Sequence, residues 1–425
     1  MPSSYYSAMV AHRRQIHARP EEGWTEFETT WHVAKYLREL GLDVQVGKAV
    51  INPDDVLGRD PVLVEDAIDR ALKQGVPAEF IEELGGYTGA VATLDTGKPG
   101  PVTAFRCDMD CVLVRESTDP SHVPTQLGFA SQRPGLMHAC GHDAHTAVGL
   151  EVARWCLEHK DELCGRLKFI FQPAEEGVRG ARAMVGAGVV DDVDYFVGGH
   201  VGVAAKLGEL MVISGGFLAS TKFDIEIEGQ AAHAGSNPHL GHSALVAACA
   251  ATMMLQGIPR HGDGLTRVAI GTLNAGEGRN VVAEHAKLQM EVRGESEEVN
   301  DYMRQYVYDI FAGVDRAYRV KSTIIKAGET TTLLPCPELC DTIEEVMKTV
   351  PNATMIPRKF LPSGSEDCAL FIRRVMAHGG QAAFVLYGCN QMGHHRPNFD
   401  IQDEESLPVA FEFFTRFAKK VNGAQ

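Results

Sequence analysis

The sequence predicts an α/β protein: a main domain with a central, mostly parallel sheet and helices on both faces, interrupted by an inserted α+β domain. Three observations carry this expectation. Apolar runs of strand length alternate with stretches of helical period on either side of a central region. Residues 218–327 break that rhythm with half-exposed strands. The apolar runs outside that region end in acidic or imidazole residues, and open α/β sheets gather ligands outside the carboxyl ends of their strands.

Residues 7–41 read as a helix interrupted near Arg19-Pro20, and 62–84 as a second helical stretch. A strand is expected over 89–94. Thr96-Gly97-Lys98-Pro99-Gly100 then signals a hairpin leading into a strand over 102–107. Ala147, Leu150, Ala153 and Leu157 recur at helical spacing, so a helix follows His142. Strands over 165–171 and 193–197 bracket a helix over 180–185 that glycines 186 and 188 stop. In the central region, 221–228 alternates polar and apolar residues, 243–255 is an apolar helix, 267–273 and 286–293 are strands, and 300–311 is a helix. The expected domains are therefore 1–217 with 328–425, and the insertion 218–327.

A chain of 425 residues is long enough for two domains. Its net charge of −16 argues against a nucleic-acid binder, which needs a basic face. Ten cysteines without framework spacing read as thiols in a reducing compartment. No basic segment followed by an apolar run opens the chain, and no window approaches the roughly 18 apolar residues of a membrane span. A cytoplasmic protein without a membrane partner is expected.

The densest chemistry lies in His138-Ala139-Cys140-Gly141-His142-Asp143-Ala144-His145. A thiolate and an imidazole two residues apart on a glycine-broken turn can close on one divalent ion. No second Cys/His pair follows at zinc-finger distance, so the site must be assembled from distant segments. Other ligand-rich clusters follow the expected strands: Asp108-Met109-Asp110, Glu175-Glu176, His200, and His394-His395. Cys140, His142, Glu176, His200 and one of His394 or His395, with Asp108 and Asp110, exceed the needs of one tetrahedral zinc. Two nearby divalent ions would use them, lowering the pKa of a shared water and polarising a carbonyl. Of two adjacent glutamates, one can ligate metal while the other stays free as general base. Alone, each signal has an ordinary reading: a solvated helix start for the glutamates, a buried thiol for Cys140, a surface loop for the histidines. Their coincidence at strand ends outweighs those readings. His138 and His145 are expected to orient ligands or to serve the structure.

Further motifs run along nearly the whole chain: Arg13-Arg14-Gln15-Ile16-His17, Gln172-Pro173-Ala174-Glu175-Glu176-Gly177, Ala231-Ala232-His233-Ala234-Gly235, Arg279-Asn280-Val281-Val282 and Gly364-Ser365-Glu366-Asp367. With them the chain resembles the amidohydrolase branch of the two-metal aminoacylase/carboxypeptidase G-like peptidases. A segment at about 48–95 is extra relative to shorter members. The resemblance implies that Cys140, His142, Glu176, His200 and His395 hold two divalent ions per protomer, Mn2+ or Zn2+. His395 is preferred over His394 because it lies five residues before Asp400. Glu175 would be the general base, and Asp110 would orient the site. His233 would stabilise the oxyanion in a neighbouring protomer's site. Asn280 and Arg293 would bind the substrate's carboxylate, and Gly364 would line the pocket by its backbone. The inserted domain would act as lid and dimer contact, giving a homodimer, with a paralogous second chain left open. The implied reaction is hydrolysis of an N-acyl amino acid, an N-aroyl-glutamate first. Other amino-acid conjugates, dipeptides, or a silent metal-binding role in a hetero-oligomer are the alternatives. Cys111-Val112-Leu113, where relatives commonly have a small residue and a leucine, puts the acyl group in question.

Overall fold

The computed structural model describes residues 4–424, which form two compact units. The first takes residues up to Gly215, Leu333–Leu361 and those from Asp367 onward; the second takes Gly216–Thr332 and Pro362–Glu366. Strands β1 (Asp43–Val46), β2 (Ala90–Asp95), β3 (Val102–Asp108), β4 (Arg166–Gln172), β5 (Tyr195–Val201) and β6 (Glu209–Gly216) come first in the chain. The second unit contributes β7 (Ala219–Glu228), β8 (Thr266–Ala275), β9 (His285–Gly294) and β10 (Lys321–Thr330). The chain then returns to the larger sheet with β11 (Thr354–Met355), β12 (Lys359–Leu361) and β13 (Gln381–Tyr387).

The larger sheet runs β1-β2-β4-β3-β5-β13-β6-β11, with β12 beside β6. Its middle strands β4, β3, β5 and β13 are parallel, while β1, β2 and β6 join antiparallel. Consecutive residues of β3 show that both faces are covered, because neighbouring side chains point to opposite sides of a strand. Phe105 packs edge-on against Phe414 and Phe417 of the helix Asp403–Asn422. Arg106 reaches Asp367 at the start of the helix Cys368–Ala377. Burial on both faces explains why β13 is a near-continuous apolar run.

The expected hairpin at 96–100 is corrected. β2 and β3 are not neighbours, because β4 lies between them. The connecting loop bonds instead to the entrance of β4, through Thr96 N to Gly165 O, Gly165 N to Lys98 O and Arg166 N to Pro101 O. The helix expected over 7–41 is two helices, Ser4–His17 and Phe27–Glu39, broken at Pro20 as anticipated. The stretch 62–84 is also two helices, Pro61–Lys73 and Ala78–Leu84.

The second unit is an antiparallel sheet ordered β10-β7-β9-β8, with a core shared with the helices Ala244–Gln256 and Glu297–Tyr318. Ser243 and Ser296 cap those helices by accepting the N–H of Val246 and Val299. The sequence pattern passed over β6 and β10. In β10 only the last residues are buried, so its alternation is too polar to stand out.

The helix Ser4–His17 brings a charge into the core. Arg13 is fully buried, and its guanidinium lies 2.9 Å from Asp143, 2.8 Å from Asp400 and 3.2 Å from Asp403. His17 adds a 2.8 Å contact to Asp143. One cation thereby ties the segment after His142 to the segment after His395. Removing one partner from such a buried set costs about 3–5 kcal/mol, because the remaining charges are left uncompensated. Among the described residues all ten cysteines are free thiols, and no helix is long and apolar enough to cross a membrane.

Candidate active site

β3, β4, β5 and β13 are adjacent and parallel, so their carboxyl ends meet along one edge. Asp108 ends β3, with Asp110 just beyond. The Glu175-Glu176 turn follows β4, His200 lies near the end of β5, and His394 and His395 lie in the loop after β13. Cys140 and His142 enter at the start of the helix His142–Glu158. Gly141 between them has φ +93°, and a Cβ there would lie 2.4 Å from Val201 Cγ1. Only glycine lets that turn pass so close to the end of β5.

Possible ligand atoms of Cys140, His142 and Glu176 lie within 4.8 Å of one another, and so do those of Cys140, His200 and His394. Cys140 is common to both groups. His395 Nε2 is 3.0 Å from Glu176 Oε1, and its backbone N–H donates to Ala139 O at 2.7 Å. Both histidines of the pair therefore reach the cluster, where the sequence reading had preferred His395 and left the role of His394 open. A further group, Asp108, His142 and His145, is less suited to a metal. Both ring nitrogens of His145 are already engaged: Nδ1 bonds to Asp108, and Nε2 accepts the Val201 N–H at 3.0 Å.

Hydrogen bonds fix which nitrogen each of two imidazoles presents. His200 Nδ1 donates to Val201 O at 2.8 Å, which turns the Nε2 lone pair toward Cys140 Sγ, 3.5 Å away. His142 Nδ1 is 3.3 Å from Asp110 Oδ1, and its buried Nε2 has no hydrogen-bond partner. A metal-ligating histidine is commonly held in this way, through its other nitrogen. Behind them, buried Arg106 bonds to Asp108, Gln172 and Asp367, and Gln172 donates to Asp367 at 2.8 Å. Asp108 is thus a junction between Arg106 and His145.

The charges favour a cation. Burial works against charge on His142, but Asp108 and the bond to Asp110 outweigh it and hold the imidazole pKa well above its usual value. His395, bonded to Cys140 and Glu176, is raised to about 10. Burial, together with the Glu176 carboxylate, pushes the Cys140 thiol up, so a thiolate there needs a positive partner. Burial and the neighbouring His145 keep His200 well below its usual value, hence neutral and available as a ligand. A thiolate, imidazoles and a carboxylate, with one buried imidazole nitrogen unpartnered, fit divalent metal.

Asp110 organises the Glu175-Glu176 turn. Its Oδ1 accepts the Glu175 N–H at 3.0 Å and its Oδ2 the Glu176 N–H at 2.9 Å. Glu175 is 8 % exposed, and its Oε2 lies 3.9 Å from His142 Nε2. On the other side of the turn, Glu26 Oε1 accepts the Ala174 N–H at 2.7 Å. Burial, with Asp110 nearby, pushes the Glu26 carboxyl up to about 8.

His233, Asn280, Arg293 and Gly364 belong to the second unit. His233 is exposed, and its Nδ1 accepts the N–H groups of Gly235 and Ser236 at 3.1 and 3.0 Å. The proton of the neutral ring is thereby placed on Nε2, where it can be donated. Asn280 is exposed in the segment paired with that loop, with Ala234 N donating to Asn280 O. Arg293 Nε bonds to Glu291 at 2.7 Å and Nη1 to Ser365 at 3.3 Å. The Gly364 carbonyl accepts the Leu218 N–H.

Arg106 and Glu26 had no signal in the sequence, since each is paired with a residue distant in the chain. Asp143 and Arg13 stood within recognisable motifs, but their pairing was not legible. If Cys140 is a ligand, the cobalt(II)-loaded protein will show thiolate-to-metal charge-transfer absorption, and Cys140→Ser will abolish it. Unchanged absorption in Cys140→Ser would remove Cys140 from the ligand set.

Residues 104–420 match the model of peptidase family M20/M25/M40. The chain is 44% identical over 410 residues to a p-aminobenzoyl-glutamate hydrolase chain of Escherichia coli (strain K12), covering 96% of this chain and 94% of that protein. It is 43% identical over 408 residues to indole-3-acetyl-aspartic acid hydrolase of Enterobacter agglomerans, covering 95% and 93%. The crystal structure of an aminobenzoyl-glutamate utilization protein from Klebsiella pneumoniae superposes with a TM-score of 0.83 at 38% identity, covering 97% of this chain and 95% of that one. With a buried donor set suited to divalent metal beside a paired-glutamate turn, the chain belongs to peptidase family M20/M25/M40 and is a metal-dependent amidohydrolase.

Proposed function

We propose that the protein hydrolyses p-aminobenzoyl-glutamate to p-aminobenzoate and glutamate, using Cys140, His142, Glu176, His200 and His395 to hold two divalent ions, Mn2+ or Zn2+. The observation that carries the reading is the double bond from Asp110 to the backbone of Glu175 and Glu176. It supports a reading in which Glu176 is a metal ligand and Glu175, beside it, is the base. The ions, when bound, supply Lewis acidity and a lowered pKa for water. Glu175 takes a proton from the attacking water and returns it to the departing amide nitrogen. His233, protonated on Nε2, donates to the amide oxygen as it gains negative charge. Arg293 and Asn280 receive the carboxylate end of the amino acid, for which a guanidinium fork is well shaped. Indoleacetyl-aspartate is the second reading, favoured by the likeness to the hydrolase of that conjugate. Both substrates join an aromatic acyl group to an acidic amino acid.

The protein acts as a homodimer through the second unit, in the cytoplasm, with each His233 serving the site of the partner. The helix Ala244–Gln256 supports this with an exposed apolar stripe, Leu245, Val246, Cys249 and Met253. The edge strand β8 offers unpaired backbone beside it.

Purified protein supplied with manganese or zinc is expected to release p-aminobenzoate, and a chelator to stop it. Glu175→Gln should lower kcat by about 10²–10⁴-fold with bound metal unchanged. Wild-type kcat in that variant would refute the assigned base. Val246→Asp combined with Met253→Glu should give a monomer in light scattering and strongly reduced turnover. A fully active monomer would exclude the proposed role of His233.

A further inference from the structure

The turn that carries Glu175 and Glu176 is strained. Ala174, Gly177 and Val178 have φ of +51°, +83° and +56°. A left-handed conformation is costly for a β-branched residue and persists only where the surroundings over-determine it. Asp110 and Glu26 hold the N–H groups on the turn, and Arg179 holds a carbonyl: its Nε donates to Glu176 O at 2.8 Å.

The same guanidinium faces outward to a second segment. Arg179 Nη1 donates to Gly58 O at 3.0 Å, and Trp24 Nε1 donates to the adjacent Leu57 O at 2.8 Å. These carbonyls belong to the segment that contains the helices Pro61–Lys73 and Ala78–Leu84. That segment is fastened nearby as well, by Asn52 N to Ala183 O at 2.9 Å and by Arg70 to Glu21 at 3.0 Å. Gly23 leaves the space Arg179 needs. A Cβ at Gly23 would lie 2.3 Å from Arg179 Nη2 and 2.9 Å from Ala174 Cα.

We propose that Arg179 is a positioning residue for the Glu175-Glu176 turn, and that the segment around Leu57-Gly58 acts on the reaction through it. The planar fork bonds to a carbonyl of the catalytic turn and a carbonyl of that segment, so displacement of one is passed to the other. The inference rests on the proposed roles of Glu175 and Glu176. It extends them by placing part of the control of base and ligand geometry in a segment that itself supplies no base or ligand.

The test is a double-mutant cycle of Arg179→Gln and Trp24→Phe, read by kcat and KM on p-aminobenzoyl-glutamate at saturating metal, by calorimetric manganese affinity and by melting temperature. Arg179→Gln should lower kcat roughly 10–100-fold through misplacement of the base. It should weaken metal binding by about tenfold or more, as loss of a ligand's supporting bond does. KM should stay within about twofold, since substrate contacts are untouched. Trp24→Phe removes the bond to Leu57 together with part of a buried side chain, whose packing loss is read by melting temperature. It should lower kcat in the Arg179 background and add nothing in the Arg179→Gln background. A lowered melting temperature with kcat and metal affinity unchanged, or additive losses in the cycle, would overturn the proposal. If the wild-type chain turns over no N-acyl amino acid, the functional reading fails, and manganese affinity alone still decides the role of Arg179.

Discussion

The site depends on one carboxylate. Asp110 accepts the backbone N–H groups of Glu175 and Glu176 on separate oxygens, while Oδ1 also faces His142 Nδ1. Three constraints follow from a single side chain. The turn after β4 is held at the sheet edge, the two glutamates take different directions, and His142 presents its unpartnered Nε2. These bonds hold the geometry firmly because Asp110 is fully buried, where a hydrogen bond to a carboxylate is strong and water does not compete.

Around this centre the protein sets each of two buried guanidinium groups among two or three carboxylates. Arg106 balances Asp108 and Asp367, and Arg13 balances Asp143, Asp400 and Asp403. Burial alone would raise the Asp143 carboxyl, but Arg13 and His17 hold it well below the ordinary range. These ion pairs act on the elements that carry the candidate ligands. Asp143 follows His142, Asp400 lies beyond His395, and Asp108 bonds to His145, which grips the backbone next to His200. A buried pair contributes little net stability against an apolar substitute, but it fixes the relative position of the segments it joins.

The fold class was legible because its signals are local. Buried parallel strands leave apolar runs, and the rule that ligands gather at their carboxyl ends pointed to Asp108, Glu175, Glu176 and His200. Gly141 marked the turn between Cys140 and His142. What stayed hidden is non-local. The strand order that puts β4 between β2 and β3 cannot be read from a turn sequence, so the loop at 96–100 passed for a hairpin. Arg106, Glu26 and Arg179 meet partners far along the chain or fasten only backbone atoms, and neither leaves a period or spacing. The histidine pair was hard for another reason. Adjacent residues differ in sequence by nothing that says which one faces inward, and here the left-handed φ of His395 brings both toward Cys140.

The most direct measurement is kcat and metal affinity of Asp110→Asn, a change that keeps the shape but replaces one acceptor with a donor facing backbone N–H. The account predicts a folded protein whose kcat is lower by about 10²-fold or more, as expected when the catalytic turn is misplaced, and whose metal binding is weakened. A variant with wild-type turnover and wild-type metal affinity would contradict it.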